Sequence, residues 1–283
     1  MTPTTGDAAP GTPEDGIPRR RPRGESAVAA GRRSRPTSRR RRVVTWVLGG
    51  LGGLVVAGVL GIVVWSQLGV MSAEPGPLAA VRDDSRVDLA DVDGSLVLSP
   101  AAGGSDVGVV FVPGAKVEAE AYLARWVDVV ADEGVTLVVT RPWLNLAFFD
   151  PRPLSSFTDL VPDVSTWLVS GHSLGGVRAC QLAGDADGLV LFASYCATDL
   201  SDSGLPVLSL SGSEDGLTTP QKVDDNRGML PSDAVFVEID GAAHASFGDY
   251  GPQAGDGTPA IDDADMTAAV TASVAELLAT LDR

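Results

Sequence analysis

The chain has 283 residues, of which 44% are hydrophobic and 20% charged, with two cysteines and a net charge of -16. That balance excludes wholesale disorder, a collagen-like fibre and a disulfide-dense mini-protein. The charge is unevenly placed: residues 1–42 carry eleven arginines against four acids (+7), and the rest carry ten basic against thirty-three acidic side chains (-23).

Residues 1–42 are rich in Pro, Gly, Thr and Arg and almost free of large apolar side chains. Such a segment cannot bury enough surface to offset its ordering entropy, so a disordered basic tail is predicted. Residues 43–65 follow without a single charge. At about 1.5 Å rise per residue, 23 helical residues reach ~34 Å, enough to cross a ~30 Å hydrocarbon core with some tilt. Arg39 to Arg42 stand directly before this run, whereas 66–76 holds no Lys or Arg and one acid, Glu74. The positive-inside rule therefore predicts a single-pass plasma-membrane protein with a cytoplasmic tail and an extracytoplasmic body, with Trp46 and Trp65 near the two interfaces. A cleaved signal peptide is the main rival, but its apolar stretch and basic leader are usually shorter. A twin-arginine-type signal is harder to separate, because Ser38-Arg39-Arg40 precedes the run. On either reading the arginines orient the chain, and an acidic body argues against nucleic acid.

After a linker at 66–77, residues 78–283 suit one large domain. Residues 87–92 and 96–98, joined through Asp93-Gly94, predict a β-hairpin. Further strands are predicted at 107–112, 135–140, 167–170, 189–193, 207–210 and 235–239. Helices are predicted between them: 118–133, with Tyr122, Trp126, Val129 and Val130 on one face and Gly134 as its stop, 177–182, and finally 265–281. Strands apolar on both faces and alternating with helices predict an α/β domain with a mostly parallel, doubly covered sheet. Its chemistry is expected at the carboxyl ends of the strands.

Gly171-His172-Ser173-Leu174-Gly175 fits the Gly-x-Ser-x-Gly pattern, and its setting of strand, sharp turn and helix is that of a nucleophile elbow. Ser173 is the candidate nucleophile. A serine needs a base, and the chain has two histidines. His172 adjoins the serine and is expected to be structural. His244, in the loop after the 235–239 strand, is the candidate base. The orienting acid is expected after the 207–210 strand, where Asp215 is preferred and Glu214 is the alternative. Ser173, Asp215, His244 is the chain order of an α/β-hydrolase triad.

Five segments, 112–117, 142–149, 170–176, 212–216 and 244–251, together resemble the α/β-hydrolase superfamily. The resemblance is to its small capless branch, the α/β-hydrolase fold-5, dienelactone-hydrolase-like and carboxymethylenebutenolidase-like proteins. It covers about 107–251 and leaves out the tail and the apolar run. It implies a three-layer α/β-hydrolase fold without a lid domain, with only 195–205 available where a lid would insert. It also implies an oxyanion hole made by the backbone N–H groups of Ala115 and Leu174, and no metal or organic cofactor. The chain departs from dienelactone hydrolases in carrying Ser173 where they use cysteine.

The function expected is hydrolysis of a small-molecule acyl ester through an acyl-enzyme. An acyltransferase on the same triad, or a binding module that keeps only the fold, are the alternatives. Asn145, Phe148 and Phe149 are candidates for the substrate pocket. Lys116 is a candidate for an anionic substrate group or a solvated surface lysine. Cys180 and Cys196 lie in an exported domain that permits a disulfide, but Cys180 falls about 10 Å down the elbow helix at ~1.5 Å per residue. Cys196 lies past a strand's upper end, which argues against the pair.

Overall fold

The computed structural model describes residues 38–281, so most of the predicted tail lies outside the described residues. Two units are distinguished, Met1–Leu54 and Val55–Arg283. Helix α1 (Ser38–Gln67) supplies the described part of the first and the opening of the second. It is long and apolar enough to cross a membrane, and none of its most apolar stretch is buried. The last residues of the predicted tail, 38–42, are its first turn.

The second unit carries one eight-stranded sheet in the order β1-β2-β4-β3-β5-β6-β7-β8. β1 (Val87–Val92) and β2 (Ser95–Pro100) form the expected hairpin, register Val92 opposite Ser95. Asp93 and Gly94 both take positive φ in its two-residue turn, as a twist-matched hairpin demands. β2 runs antiparallel to β4 (Thr136–Val139); β3 (Val107–Val112), β5 (Thr166–His172), β6 (Gly188–Phe192), β7 (Val207–Gly212) and β8 (Val235–Ile239) continue in parallel. The α/β-hydrolase fold expected from the sequence is the fold observed.

Period-two alternation sends β3 side chains into two separate cores. Val109 and Phe111 join the layer built by α3 (Leu123–Glu133) and α7 (Asp263–Leu281), with Trp126, Val129, Val270 and Val274 fully buried. Val110 and Val112 face the opposite layer, where α4 (Ser155–Thr158) and α5 (Leu174–Leu182) bring Phe157, Ala179 and Leu182. Burial on both faces is why these strands read as unbroken apolar runs. α7 is apolar enough to resemble a span, but Met266, Val270, Val274, Leu277 and Leu278 are buried in this core. α6 (Pro220–Asp225) is a short helix capped by Thr219. The 193–206 connection between β6 and β7 holds no helix or strand, so no lid covers the sheet there.

Two segments differ from expectation. The stretch 66–77 carries structure: Met71 bridges Val117, and α2 (Pro75–Asp83) begins inside it. Its composition of Gly, Pro and small residues resembles a linker, and backbone pairing to a distant loop leaves no local signature. The second difference is a correction: Cys180 and Cys196 form a disulfide, with Cα atoms 5.6 Å apart. After β6 the chain turns at Ala193, which has positive φ, and folds back along α5, so that Ser194 sits against Gly176. Cys196 thereby descends to the depth of Cys180, a return that strand position alone does not reveal.

Candidate active site

The strand order reverses at β3, which pairs with β4 on one side and β5 on the other. Loops leaving β3 and β5 therefore diverge and open a crevice at their carboxyl ends. Ser173 follows β5 with φ 52° and ψ -122°, a backbone conformation costly for a residue with a side chain. Its surroundings over-determine it. A Cβ on Gly171 would overlap the backbone of Gly175, one on Gly175 would overlap the Val112 carbonyl, and one on Gly176 would overlap Ser194. Only glycines let strand, turn and helix approach so closely. The Ser173 amide donates to Phe192 O at 3.0 Å, and Ser194 Oγ donates to Ser173 O at 2.7 Å, so β6 and its following turn fix the elbow from the far side.

His244 and Asp215 meet. The acid loop after β7 and the histidine loop after β8 join through His244 Nδ1 and Asp215 Oδ2 at 2.8 Å, with both residues nearly inaccessible. The other Asp215 oxygen accepts the amides of Leu217 (2.8 Å) and Thr218 (2.7 Å), which fixes the carboxylate plane. Its bond to Asp215 makes His244 Nδ1 the protonated nitrogen and leaves Nε2 as the basic one. Glu214, the alternative acid, is exposed. Ser173 Oγ makes no hydrogen bond among the described residues. The amides of Ala115 and Leu174, the candidate oxyanion donors, likewise donate to no protein acceptor among the described residues.

His172 is structural in a specific way. Gly114 N–H donates to Tyr122 Oη at 3.0 Å, so the Tyr122 hydroxyl proton is free to go to His172 Nδ1, also 3.0 Å away. His172 Nε2–H is then left to donate to the His244 carbonyl at 3.2 Å. The ring is buried and neutral in this relay, and burial, followed by the neighbouring His244, holds its pKa well below the usual 6.5. Burial also pushes the Tyr122 hydroxyl up. One chain of hydrogen bonds thus links the loop after β3 to the histidine loop.

Two positioning groups escaped the sequence reading. Asp256 Oδ1 accepts the amides of Gly216 (3.1 Å), His244 (3.0 Å) and Gly257 (2.7 Å), and Oδ2 accepts that of Ala245 (2.8 Å), so one carboxylate spans the acid and histidine loops. Arg125, 2% exposed, donates to Ser246 O, Thr267 Oγ1, Asp249 Oδ1 and Asp263, tying α3 and α7 to the histidine loop. Asp249 beneath it is pushed up to about 6 by burial, against the pull of Arg125. Asp256 lies in a Gly/Pro-rich loop with nothing local to mark it, and Arg125 sits on a helix face otherwise read as core.

The four candidate pocket residues are placed differently from one another. Lys116 turns toward the end of α1: its ammonium donates to the carbonyls of Trp65 (2.9 Å) and Leu68 (3.1 Å) and lies over the Trp65 ring. It caps the end of α1, where Trp65 O also accepts the Leu68 amide at 3.3 Å. Asn145 Nδ2 donates to Ser66 O at 3.3 Å, and Asn145 O accepts the Lys116 amide. Phe148 and Phe149 are 73% and 47% exposed. No group of His, Cys, Asp and Glu suited to a metal ion occurs among the described residues.

A lidless, mostly parallel α/β sheet with a serine elbow and a buried acid–histidine pair defines a hydrolase-type scaffold. Residues 108–268 match the model of the Alpha/beta hydrolase family, and the chain belongs to that family. Among solved structures it is similar to a member of the a/b serine hydrolases without lid from Xanthomonas campestris, at 16% identity and TM-score 0.50, covering 68% of this chain and 95% of that one. It is also similar to the esterase domain of a Rhodothermus marinus protein, at 14% identity and TM-score 0.49, covering 64% and 90%. Among curated proteins none matches significantly.

Proposed function

We propose that this chain is a membrane-anchored, extracytoplasmic serine hydrolase that cleaves carboxylic esters of small molecules. Family membership supports a hydrolase, and the 2.8 Å bond between His244 Nδ1 and Asp215, at the strand ends where Ser173 stands on its elbow, carries the finer reading. Ser173 Oγ attacks the ester carbonyl carbon while its proton passes to His244 Nε2, and Asp215 holds the imidazolium that forms. The carbonyl oxygen, now an anion, takes hydrogen bonds from the Ala115 and Leu174 amides. Collapse expels the alkoxide, which leaves as the alcohol with the proton from His244. Water then attacks the acyl-Ser173, giving its proton to His244, and the carboxylic acid departs as Ser173 is regenerated. These steps call on no metal or organic cofactor.

α1 is the anchor, the arginines before it remain in the cytoplasm, and the body lies outside. Two measurements test the reading. The full-length protein in detergent should hydrolyse p-nitrophenyl esters, and Ser173→Ala or His244→Ala should each remove most of that turnover. A protease applied to intact cells should digest the body; a protected body would overturn the orientation.

A further inference from the structure

The end of α1 is hydrogen-bonded to the loop after β3. Lys116, one residue beyond the candidate oxyanion donor Ala115, clasps the carbonyls of Trp65 and Leu68, while Asn145 holds that of Ser66, which is completely buried. Met71 then pairs with the same loop, its amide donating to Lys116 O at 2.7 Å and its carbonyl accepting from Glu118 at 3.0 Å. The Glu118 carboxylate receives Ser72 Oγ (3.1 Å) and the Ala73 amide (3.0 Å). The point where α1 ends and the loop after β3 are therefore one hydrogen-bonded assembly.

A second observation lies on the surface. Beyond α1 itself, the exposed large apolar side chains among the described residues are Leu68, Trp143, Phe148, Phe149 and Val235. All but Val235 belong to the two segments that Asn145 joins. Leu144 and Asn145 take positive φ, so the 143–149 turn is held in a costly conformation while it presents two phenylalanines and a tryptophan. Aromatic rings favour the interface between headgroups and hydrocarbon, and a helix that spans a bilayer brings whatever is bonded to its last turn to that depth.

We propose that Leu68, Trp143, Phe148 and Phe149 form a face that rests in the outer surface of the bilayer carrying α1. The oxyanion loop is thereby placed against the membrane, and the ester cleaved is carried by an amphiphile resident in that bilayer. This rests on the anchored-hydrolase reading and deepens it. The occupant follows from continuity at the end of α1: Asn145 and Lys116 tie the 143–149 turn and the oxyanion loop to Trp65, Ser66 and Leu68 by hydrogen bonds rather than through a flexible tether.

The test uses the full chain reconstituted in phosphatidylcholine vesicles. The native cysteines are paired, so nitroxide labels can be placed singly at Phe148→Cys and, as a comparison, at Val235→Cys on β8. The label at 148 should collide more often with membrane-dissolved oxygen than with a water-soluble nickel chelate, and the label at 235 should show the reverse. A label at 148 with the water-like accessibility of 235, or one shielded from both reagents by a second copy, overturns the proposal. Turnover supplies an independent readout: Leu68→Asp/Trp143→Asp should lower the ratio of vesicle-borne to soluble ester hydrolysis by roughly tenfold, a loss of substrate delivery read in kcat/KM. An unchanged ratio also overturns it. Failure of the hydrolase reading would appear elsewhere, as soluble-ester turnover that survives Ser173→Ala while the label depths stand.

Discussion

Replacing Asp256 by asparagine removes one acceptor oxygen from a carboxylate that uses both. Kept with its oxygen toward Gly216, His244 and Gly257, the amide turns its NH2 group against the Ala245 N–H. Flipped, it would confront three N–H groups instead of one, so the first orientation is expected. The loss is one hydrogen bond to a charged acceptor and one donor left facing another donor, in a partly exposed loop. We expect a destabilisation of about 1–2 kcal/mol. Asp256→Ala, which abandons all four amides, should cost about 2–4 kcal/mol. Because the bonds hold the main chain of His244 and its successor, kcat should fall by about 10–100-fold from misplacement of the imidazole, with KM little changed. The assays are urea denaturation followed by circular dichroism, and turnover of a soluble ester across pH. A positioning role also predicts a displaced acidic limb in the pH profile of Asp256→Asn, which a purely structural loss would leave in place. An asparagine variant with wild-type stability and wild-type kcat would show that Asp256 does not hold the His244 main chain.

Ser173→Ala and His244→Ala should each reduce kcat by orders of magnitude, and the double variant should be no worse than either, because the two act as one unit; steady-state kinetics on all three checks this. Ser173→Ala should leave the midpoint of unfolding unchanged, whereas His244→Ala should lower it, because the buried Asp215 carboxylate loses its partner. Asp249 has a folded pKa near 6 against the usual 3.8, so the folded state binds the extra proton and stability from this group falls as pH rises from about 4 to 6. The span corresponds to about 3 kcal/mol. Asp249→Asn should therefore gain on the wild type by up to that amount between pH 4 and pH 7.5 in paired denaturation curves, and a difference independent of pH would reject it. The Cys180–Cys196 bond closes a loop of sequence separation 16. Its removal as Cys180→Ser/Cys196→Ser should cost about 3 kcal/mol, seen as a lower unfolding midpoint that reductant no longer changes.

The sequence revealed most where a local pattern and the topology coincide. Each parallel strand delivers its following loop to the same edge of the sheet, so an elbow serine, an Asp-Gly turn and a loop histidine in that chain order had to converge, and Asp215 and His244 do. Residues that act through tertiary contact were not legible. Tyr122 reads as one apolar residue on a helix face, yet its hydroxyl joins Gly114 to His172. Asp256 reads as a loop acid, and only the folding back of 252–260 brings it under His244. The same physics misled the reading of Cys196, whose depth depends on a turn at Ala193 that requires positive φ from a residue with a side chain. The partners of Lys116 were not legible either, because nothing near it in sequence suggests that Trp65 and Leu68 return to meet it.

Activation of the Ser173 hydroxyl by His244 is read out by labelling the full-length protein with a fluorophosphonate, followed by mass spectrometry of its peptides. One phosphonyl adduct is expected, on Ser173, which disappears in Ser173→Ala and forms far more slowly in His244→Ala. An adduct on another residue, none at all on folded wild-type protein, or an undiminished rate in His244→Ala would rule that activation out.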